Sequence, residues 1–261
     1  MNALKIAATG MAAQQMRVDV IANNIANMST TAYAPRVAEF ADLLYQQKRT
    51  PGALSSQTGE IVPAGIQIGM GVRPSTVSLQ ISQGALSETG GDLDFGIEGR
   101  GYFAITLPNG EQAYTRDGKF NRSAEGLVVT MDGFALSDNI TIPSDTRRIE
   151  VSRDGEVTAF FDNATAGQPI GTINLSVFSN EKGLVALGGN LFRETEASGA
   201  PITGQAGTDG IGFMRQGYLE DSGVDVVREI SDLIEAQRGY ELNSKVVTAA
   251  DEMYSATTRI R

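Results

Sequence analysis

The chain contains no cysteine, no histidine and no tryptophan. Without cysteine there is no disulfide, no thiolate zinc site and no thiol nucleophile. Without histidine the commonest metal ligand and general base are both missing. Ser-His-Asp triads and HExxH metal sites are therefore excluded. Positive charge is also short: 21 Lys+Arg stand against 31 Asp+Glu, a net charge of −10. Nucleic-acid binding needs clustered Lys/Arg against the phosphate backbone, so no nucleic-acid partner is expected. No apolar run approaches the ~18 residues of a membrane span, and no direct membrane insertion is expected. No cofactor and no metal are expected either.

What is present is 261 residues, 41% of them hydrophobic, with 30 glycines. That is enough apolar material for a core and for one large or two modest domains. The opening MNALKIAATGMAAQQ is Ala-rich and carries one Lys. Asn2, Thr9 and Gly10 interrupt its apolar stretch, so it reads as retained rather than as a cleaved secretory signal.

Both ends are striped. Leu4, Met11, Val18 and Ile25 recur every seven residues, and Ala7, Gln14, Ile21 and Met28 form a second series offset by three. This a/d register predicts one amphipathic helix, roughly 37 Å long from Leu4 to Met28 at 1.5 Å per residue. Asn27, Ser29, Thr30 and Thr31 compete for backbone hydrogen bonds and end it. At the other end Val226, Ile230, Leu233, Gln237, Tyr240, Ser244, Val247, Ala250, Tyr254 and Thr257 step by three or four. Asp221, Ser222 and Gly223 are start signals for this second helix. No proline follows Pro201 to break it.

The middle, about 34 to 223, holds all eight prolines. Asn109-Gly110, Asp117-Gly118, Asp132-Gly133 and Asp154-Gly155 are two-residue hairpin signals between strand-type residues. Tyr45 to Gly71 lacks clear periodicity and reads as an extended arm. The fold class is α+β, with the two terminal helices paired as a coiled-coil-like inner domain and a hairpin-rich β middle. Expected segments are an N-terminal helix at 1–33, an extended connector at 34–94, an outer β domain at 95–205, a return connector at 206–223 and a C-terminal helix at 224–261.

The N-terminal seam is thin, because many of its apolar residues are alanines. Fully burying a large side chain yields ~1.5–3 kcal/mol, whereas ordering backbone costs about 1–2 kcal/mol per residue. An isolated pair of such helices is marginal. The pattern is satisfied if each helix packs against several neighbours from other copies, the termini being poorly ordered in the monomer and folding on assembly. Heptads do not fix the partner, however, and an intramolecular two-helix hairpin stays open.

At Ala22-Asn23-Asn24-Ile25-Ala26-Asn27-Met28-Ser29-Thr30-Thr31-Ala32-Tyr33 the chain resembles the N-terminal signature of the bacterial flagellar rod and hook family. The likeness continues in order through Phe40-x-Asp42-Leu43-Leu44-Tyr45, Gly69-x-Gly71-Val72-Arg73-Pro74 and Ile97-x-Gly99-x-Gly101-Tyr102-Phe103. Tyr114-Thr115-Arg116-Asp117-Gly118-x-Phe120, Gln216-Gly217-Tyr218-Leu219-Glu220 and Gln237-Arg238-x-Tyr240-Glu241-x-Asn243-Ser244-Lys245 complete it. It departs at Ala34-Pro35-Arg36, where the family usually has Lys/Arg directly after the aromatic. The segment from Tyr45 to Gly65, with Pro51-Gly52-Ala53, is similar to one typical of the distal-rod members and absent from hook proteins.

The resemblance implies a non-enzymatic subunit that stacks helically into a hollow drive shaft and transmits torque to the hook. It implies an assembly interface at Leu4, Met11, Val18, Ile21, Asn23, Asn24, Ile25, Asn27, Ile230, Leu233, Gln237, Tyr240, Val247 and Tyr254. The Tyr45, Pro51, Gly52, Ala53 and Gly65 segment is implied to stiffen the rod by bridging subunits. Implied partners are further copies, proximal rod proteins, the hook protein, the ring proteins of the peptidoglycan and outer membrane, and the flagellar export apparatus. The implied location is the basal body across the periplasm, reached without a cleaved signal peptide. Alternatives are a proximal rod or hook protein of the same family, or an exported β-rich hydrolase with paired carboxylates.

Other features read as structural. Gly99-Arg100-Gly101-Tyr102-Phe103-Ala104 fits GxGxxG/A, but a strand follows where a dinucleotide site needs a helix. Asp92, Asp94 and Glu98 lack the rest of a cation-binding loop. Gly10 and Gly239 sit inside helices at a cost of about 1 kcal/mol each relative to Ala, which points to close helix packing.

Overall fold

A computed structural model describes residues 2–49, 65–162, 166–208 and 210–259. It is α+β, with a helix at each end and a β-rich middle. Two compact units result. One comprises Met1–Ala26, Arg36–Leu79 and Asp225–Arg261; the other comprises Asn27–Pro35 and Gln80–Val224. The connector expected at 34–94 is thus shared out, its first strands going with the helices and the remainder with the β unit.

In the helical unit, α1 spans Asn2–Ala26 and α2 spans Val226–Arg259. The polar cluster ends α1: Thr30 donates its backbone N–H to the Asn27 carbonyl and its hydroxyl to Asn27 Oδ1. Helix α2 is capped by Asp225, whose Oδ1 accepts the N–H groups of Val227 at 3.1 Å and Arg228 at 3.2 Å. The start signals expected at Asp221 and Ser222 are spent elsewhere, on the Ser87 hydroxyl and the Asn27 carbonyl. Strands β1 (Arg36–Asp42), β2 (Tyr45–Arg49), β3 (Ile66–Gly69) and β4 (Val72–Leu79) form two antiparallel pairs, β1 with β4 and β2 with β3. The second pair joins Tyr45 to Gly69, so the stretch read as an extended arm begins and ends in a two-stranded ribbon.

The β unit runs through β5 (Leu86–Glu88), β6 (Phe95–Glu98), β7 (Tyr102–Thr106), β8 (Gln112–Thr115), β9 (Phe120–Arg122), β10 (Val128–Thr130) and β11 (Ala135–Leu136). It continues with β12 (Thr146–Val151), β13 (Glu156–Phe161), β14 (Gln168–Thr172), β15 (Asn174–Val177), β16 (Val185–Gly188) and β17 (Leu191–Arg193). The last strands are β18 (Ile202–Gln205), β19 (Phe213–Gln216) and β20 (Tyr218–Glu220). The main sheet is antiparallel in the order β16-β17-β8-β7-β11-β10-β9, with β15 joining β7 to β18. Strand β7 is covered on both faces. Phe103 and Ile105 join one buried cluster with Phe95, Phe120, Leu175 and Met214, while Tyr102 and Ala104 join another with Tyr114 and Phe178. Burial on both sides explains why Tyr-Phe-Ala-Ile lacks polar alternation. Burial, reinforced by the neighbouring Glu181, pushes the Tyr102 hydroxyl far above its ordinary range.

Four hairpin turns share one construction. Backbone bonds close Leu107 to Glu111, Ser123 to Leu127, Thr130 to Phe134 and Ser152 to Glu156, and the glycine N–H returns to the first residue's carbonyl. Gly110, Gly126, Gly133 and Gly155 lie at φ between 83° and 88°. The preceding Asn109, Asp132 and Asp154 stay at negative φ. These are three-residue loops with a left-handed glycine, not the two-residue turns expected, in which both central residues need positive φ. Asp117-Gly118 closes no hairpin: β8 pairs with β7 and β17, whereas β9 pairs with β10.

One buried ion pair ties non-local parts of this unit together. Arg116 Nε donates to Glu220 Oε2 at 2.9 Å, and its other nitrogens donate to the Gly101 and Gly99 carbonyls at 3.1 Å. Glu220 is 4% exposed; its Oε1 accepts the Gly84 N–H at 2.8 Å and its backbone carbonyl accepts the Ala32 N–H at 2.8 Å. A buried pair in which every side-chain oxygen and nitrogen is hydrogen-bonded is costly to break, because the surviving partner is left charged and desolvated. Arg116→Ala is expected to destabilise the β unit by about 3–5 kcal/mol, read from the urea midpoint of near-ultraviolet circular dichroism on the full chain. A loss below ~1 kcal/mol, the worth of an exposed pair, would contradict this role.

Candidate assembly interface

Helices α1 and α2 pack antiparallel inside the chain. Asn24 meets Glu229, Arg17 meets Asp232 and Glu235, Gln14 lies against Gly239 and Asn243 lies against Gly10. The α1 seam therefore runs Gly10, Gln14, Arg17, Asn24 in steps of three and four, and the buried Ala7 and Ile21 fall on the same stripe. On α2 the seam runs Glu229, Asp232, Ala236, Gly239, Asn243, with Ala236 fully buried. The side chains in contact are small or polar.

The two glycines make this closeness possible. A Cβ on Gly10 would stand 2.9 Å from Asn243 Oδ1, and one on Gly239 would stand 3.1 Å from Gln14 Cδ. A side chain at either position would have to displace the Asn243 or Gln14 side chain that fills the space. Arg17 completes the seam with a hydrogen bond to Asp232 at 2.9 Å and a longer one to Glu235 at 3.3 Å.

Asn24 anchors the seam and is 1% exposed. Its amide nitrogen donates to the Arg36 carbonyl at 2.8 Å and to Glu229 Oε1 at 3.0 Å, while its Oδ1 accepts the Arg36 N–H at 2.9 Å. The carboxamide thus pairs with the peptide group that opens β1 and also holds α2. Desolvation by burial pushes the Glu229 carboxyl above its usual range, against the Asn24 hydrogen bond, with Asp232 adding to the rise.

Of the residues the sequence points to, Ile21 is buried and Asn24 lies in the seam. Leu4, Met11, Val18 and Ile25 are half-buried on the neighbouring face of α1. Leu233 and Val247 are half-buried on α2, and Ile230, Gln237, Tyr240 and Tyr254 are exposed. Of the two α1 series read from the spacing, Ala7, Gln14 and Ile21 fall on the seam that holds the pair, whereas Leu4, Met11, Val18 and Ile25, and on α2 Ile230, Leu233, Gln237 and Tyr240, lie one position beyond it. Val227 at 77%, Leu242 at 63% and Met253 at 65% exposure add further uncovered apolar surface. Val18 and Tyr240 line an open groove of about 400 Å³ with Gln15, Gln237 and Glu241. Asn23 is exposed and half-buried Asn27 takes part in the turn that ends α1. Tyr45 is exposed at the start of β2 and Gly65 precedes β3. Pro51, Gly52 and Ala53 lie outside the described residues. Sequence reasoning missed Arg17, Asp232 and Glu229; their spacing matches the glycines', but charged residues on a helix read as solvated surface.

A carboxyl whose folded pKa is raised binds its proton more readily in the native state, so its contribution to stability falls as pH rises from the unfolded value through the folded one. Glu229→Gln keeps the acceptor for Asn24 and removes the buried charge. It is expected to stabilise the helix pair at pH 7 and to lose that advantage on acidification towards pH 4.5, the unfolded value. Helical ellipticity against urea at several pH values reads this directly. A variant that is weaker at pH 7, or whose advantage does not change with pH, would contradict it.

Three family descriptions match the chain: "Flagella basal body rod protein" over residues 4–33, "Flagellar hook protein FlgE/F/G D1 domain" over 96–159, and "Flagellar basal body rod FlgEFG protein C-terminal" over 215–260. The flagellar basal-body rod protein FlgG of Agrobacterium fabrum is 49% identical over 259 residues, covering 99% of each chain. That of Caulobacter vibrioides is 48% identical over 261 residues, covering 100% of each. Among solved structures, the hook protein FlgE2 of Helicobacter pylori aligns at 17% identity with a TM-score of 0.25, covering 71% of this chain and 43% of that one; no argument rests on it. Matched at both helical ends and in the β middle, and along its whole length by rod proteins, the chain belongs to the flagellar basal-body rod family.

Proposed function

We propose that this chain is the subunit of the distal flagellar rod, stacking helically into the hollow shaft that carries torque from motor to hook. As a member of that family it is a structural protein and not an enzyme, and the hydrolase alternative falls. Its place is the flagellar basal body, in a polymeric assembly with other rod and hook components. The observation that carries the finer reading is incomplete burial: the closest helix contacts are made by glycine and polar side chains, and Val227, Ile230, Ile234, Tyr240, Leu242 and Met253 are left exposed.

In this reading the helix pairs of successive copies form a coiled-coil inner domain, and the β units form the outer surface. Val18 and Tyr240, flanking one groove, receive apolar side chains from neighbouring copies. The segment from Tyr45 to Gly65 bridges subunits and stiffens the shaft. Proximal rod proteins and the hook protein cap its two ends, and the rings of the peptidoglycan and outer membrane surround it. Export through the flagellar apparatus, across the periplasm, suits a chain with no disulfide to form.

Replacing exposed apolar residues changes the stability of a single chain little, within ±0.5 kcal/mol, but removes burial from every contact between copies. Cells whose only copy carries Tyr240→Ser and Leu242→Ser, both exposed, are expected to lose the distal shaft and hook while keeping the proximal rod, as imaged in isolated basal bodies. The purified variant should melt at the wild-type temperature. A shaft of normal length would contradict the proposal.

A further inference from the structure

Strand β19 alternates. Met214 is buried, whereas Phe213 and Arg215 share the exposed face. Arg153, in the turn that follows β12, lays its guanidinium over the Phe213 ring, 4.8 Å from the centroid. Arg215 lies over Tyr218 at 4.6 Å. Both approach one carboxylate, Glu98, at 3.8 and 3.9 Å, too far for a hydrogen bond. Among the described residues neither guanidinium donates a hydrogen bond within the chain. Two stacked cations thus share one carboxylate, in a chain whose net charge is −10.

We infer that the Arg153–Phe213–Glu98–Arg215–Tyr218 face is a contact surface for a carboxylate-bearing patch on a second copy of this chain. Stacking fixes each guanidinium plane, so little side-chain freedom is lost when a planar anion pairs with its N–H edge. The cations cover one face of each ring, which disfavours a neutral sugar that would need that face. Arg with Tyr or Phe is the pairing enriched at the centre of protein interfaces. The excess of Asp+Glu over Lys+Arg in the same chain supplies the complementary charge. Pairs that remain near solvent fix orientation more than they add affinity. This surface rests on the polymer reading above and adds to it a salt-sensitive contact between β units.

The test is sedimentation of the purified full chain across a range of NaCl concentrations. Arg153→Gln with Arg215→Gln is expected to raise the critical concentration for assembly at low salt about tenfold, equal to ~1.4 kcal/mol, and to flatten its salt dependence. Glu98→Gln removes the internal competitor and should lower the critical concentration below wild type, and by more than Glu125→Gln, which makes the same change in net charge away from this face. It also keeps the test decisive should the arginine variant fold poorly. If the wild type assembles and both variants match it in critical concentration and salt slope, the contact is overturned while the rod reading stands. Unimpaired assembly of the arginine variant with lost binding to an anionic glycan would assign the face to another partner and overturn it too. A wild type that stays monomeric at every concentration overturns the rod reading and this contact with it.

Discussion

The close approach of the two terminal helices sets the terms for the rest of the helical unit. Gly10 against Asn243 and Gly239 against Gln14 leave no room for a larger side chain. Beside the buried Ala7, Ile21 and Ala236, the seam is held by Arg17 with Asp232 and by Asn24 with Glu229 and the Arg36 peptide. Such bonds specify register and orientation well, but an ion pair as open to solvent as Arg17–Asp232 contributes at most about 1 kcal/mol. The other large apolar side chains are left to the flanks. Ile230, Ile234, Tyr240 and Leu242 remain exposed on α2. The helix pair of one chain is geometrically defined and energetically unfinished.

The β unit is organised on the opposite plan. Its central strand is apolar on both faces, and its sheets enclose large aromatic and aliphatic side chains. Among its described residues Thr146 Oγ1 is buried with no hydrogen-bond partner, and Arg116–Glu220 is the most enclosed ion pair. That pair joins the glycine-rich turn before β7 to β20 and to Gly84. The GxGxxG-like run is therefore a backbone acceptor for an arginine rather than a cradle for phosphate. Units so different in how they bury surface suit a polymer subunit whose β part stands by itself and whose ends are completed by neighbours.

Much of this was legible in the sequence, and what was not has physical reasons. Heptad spacing announced helices at both ends, and the order of short motifs announced the family. One of the two α1 series, Ala7, Gln14 and Ile21, fell on the seam; the other was placed one position too far, because a search for apolar periodicity ranks Leu4, Met11 and Val18 above Gly10 and Arg17. The glycines in the two helices were the available signal for the true seam. Turn chemistry located three hairpins, at Gly110, Gly133 and Gly155, and missed the one at Glu125-Gly126; Asn-Gly and Asp-Gly alone do not distinguish two-residue from three-residue loops. Asp117-Gly118 misled because strand pairing over long distance overrode a local signal. Glu220 and Arg116 are 104 residues apart, and no local pattern announces such a pair. The same holds for Arg153 and Arg215, which meet only through the pairing of β19 with β6 and the turn after β12.

In the proposed rod the apolar flanks of α1 and α2 are completed by other copies. Hydrogen exchange of the full chain, compared between dilute monomer and assembled rod, tests this most directly. Amides of Asn2–Ala26 and Val226–Arg259 should exchange readily in the monomer while β7 and β15 are protected, and should become protected on assembly. Terminal amides as protected in the dilute monomer as those of β7, and unchanged by assembly, would contradict it.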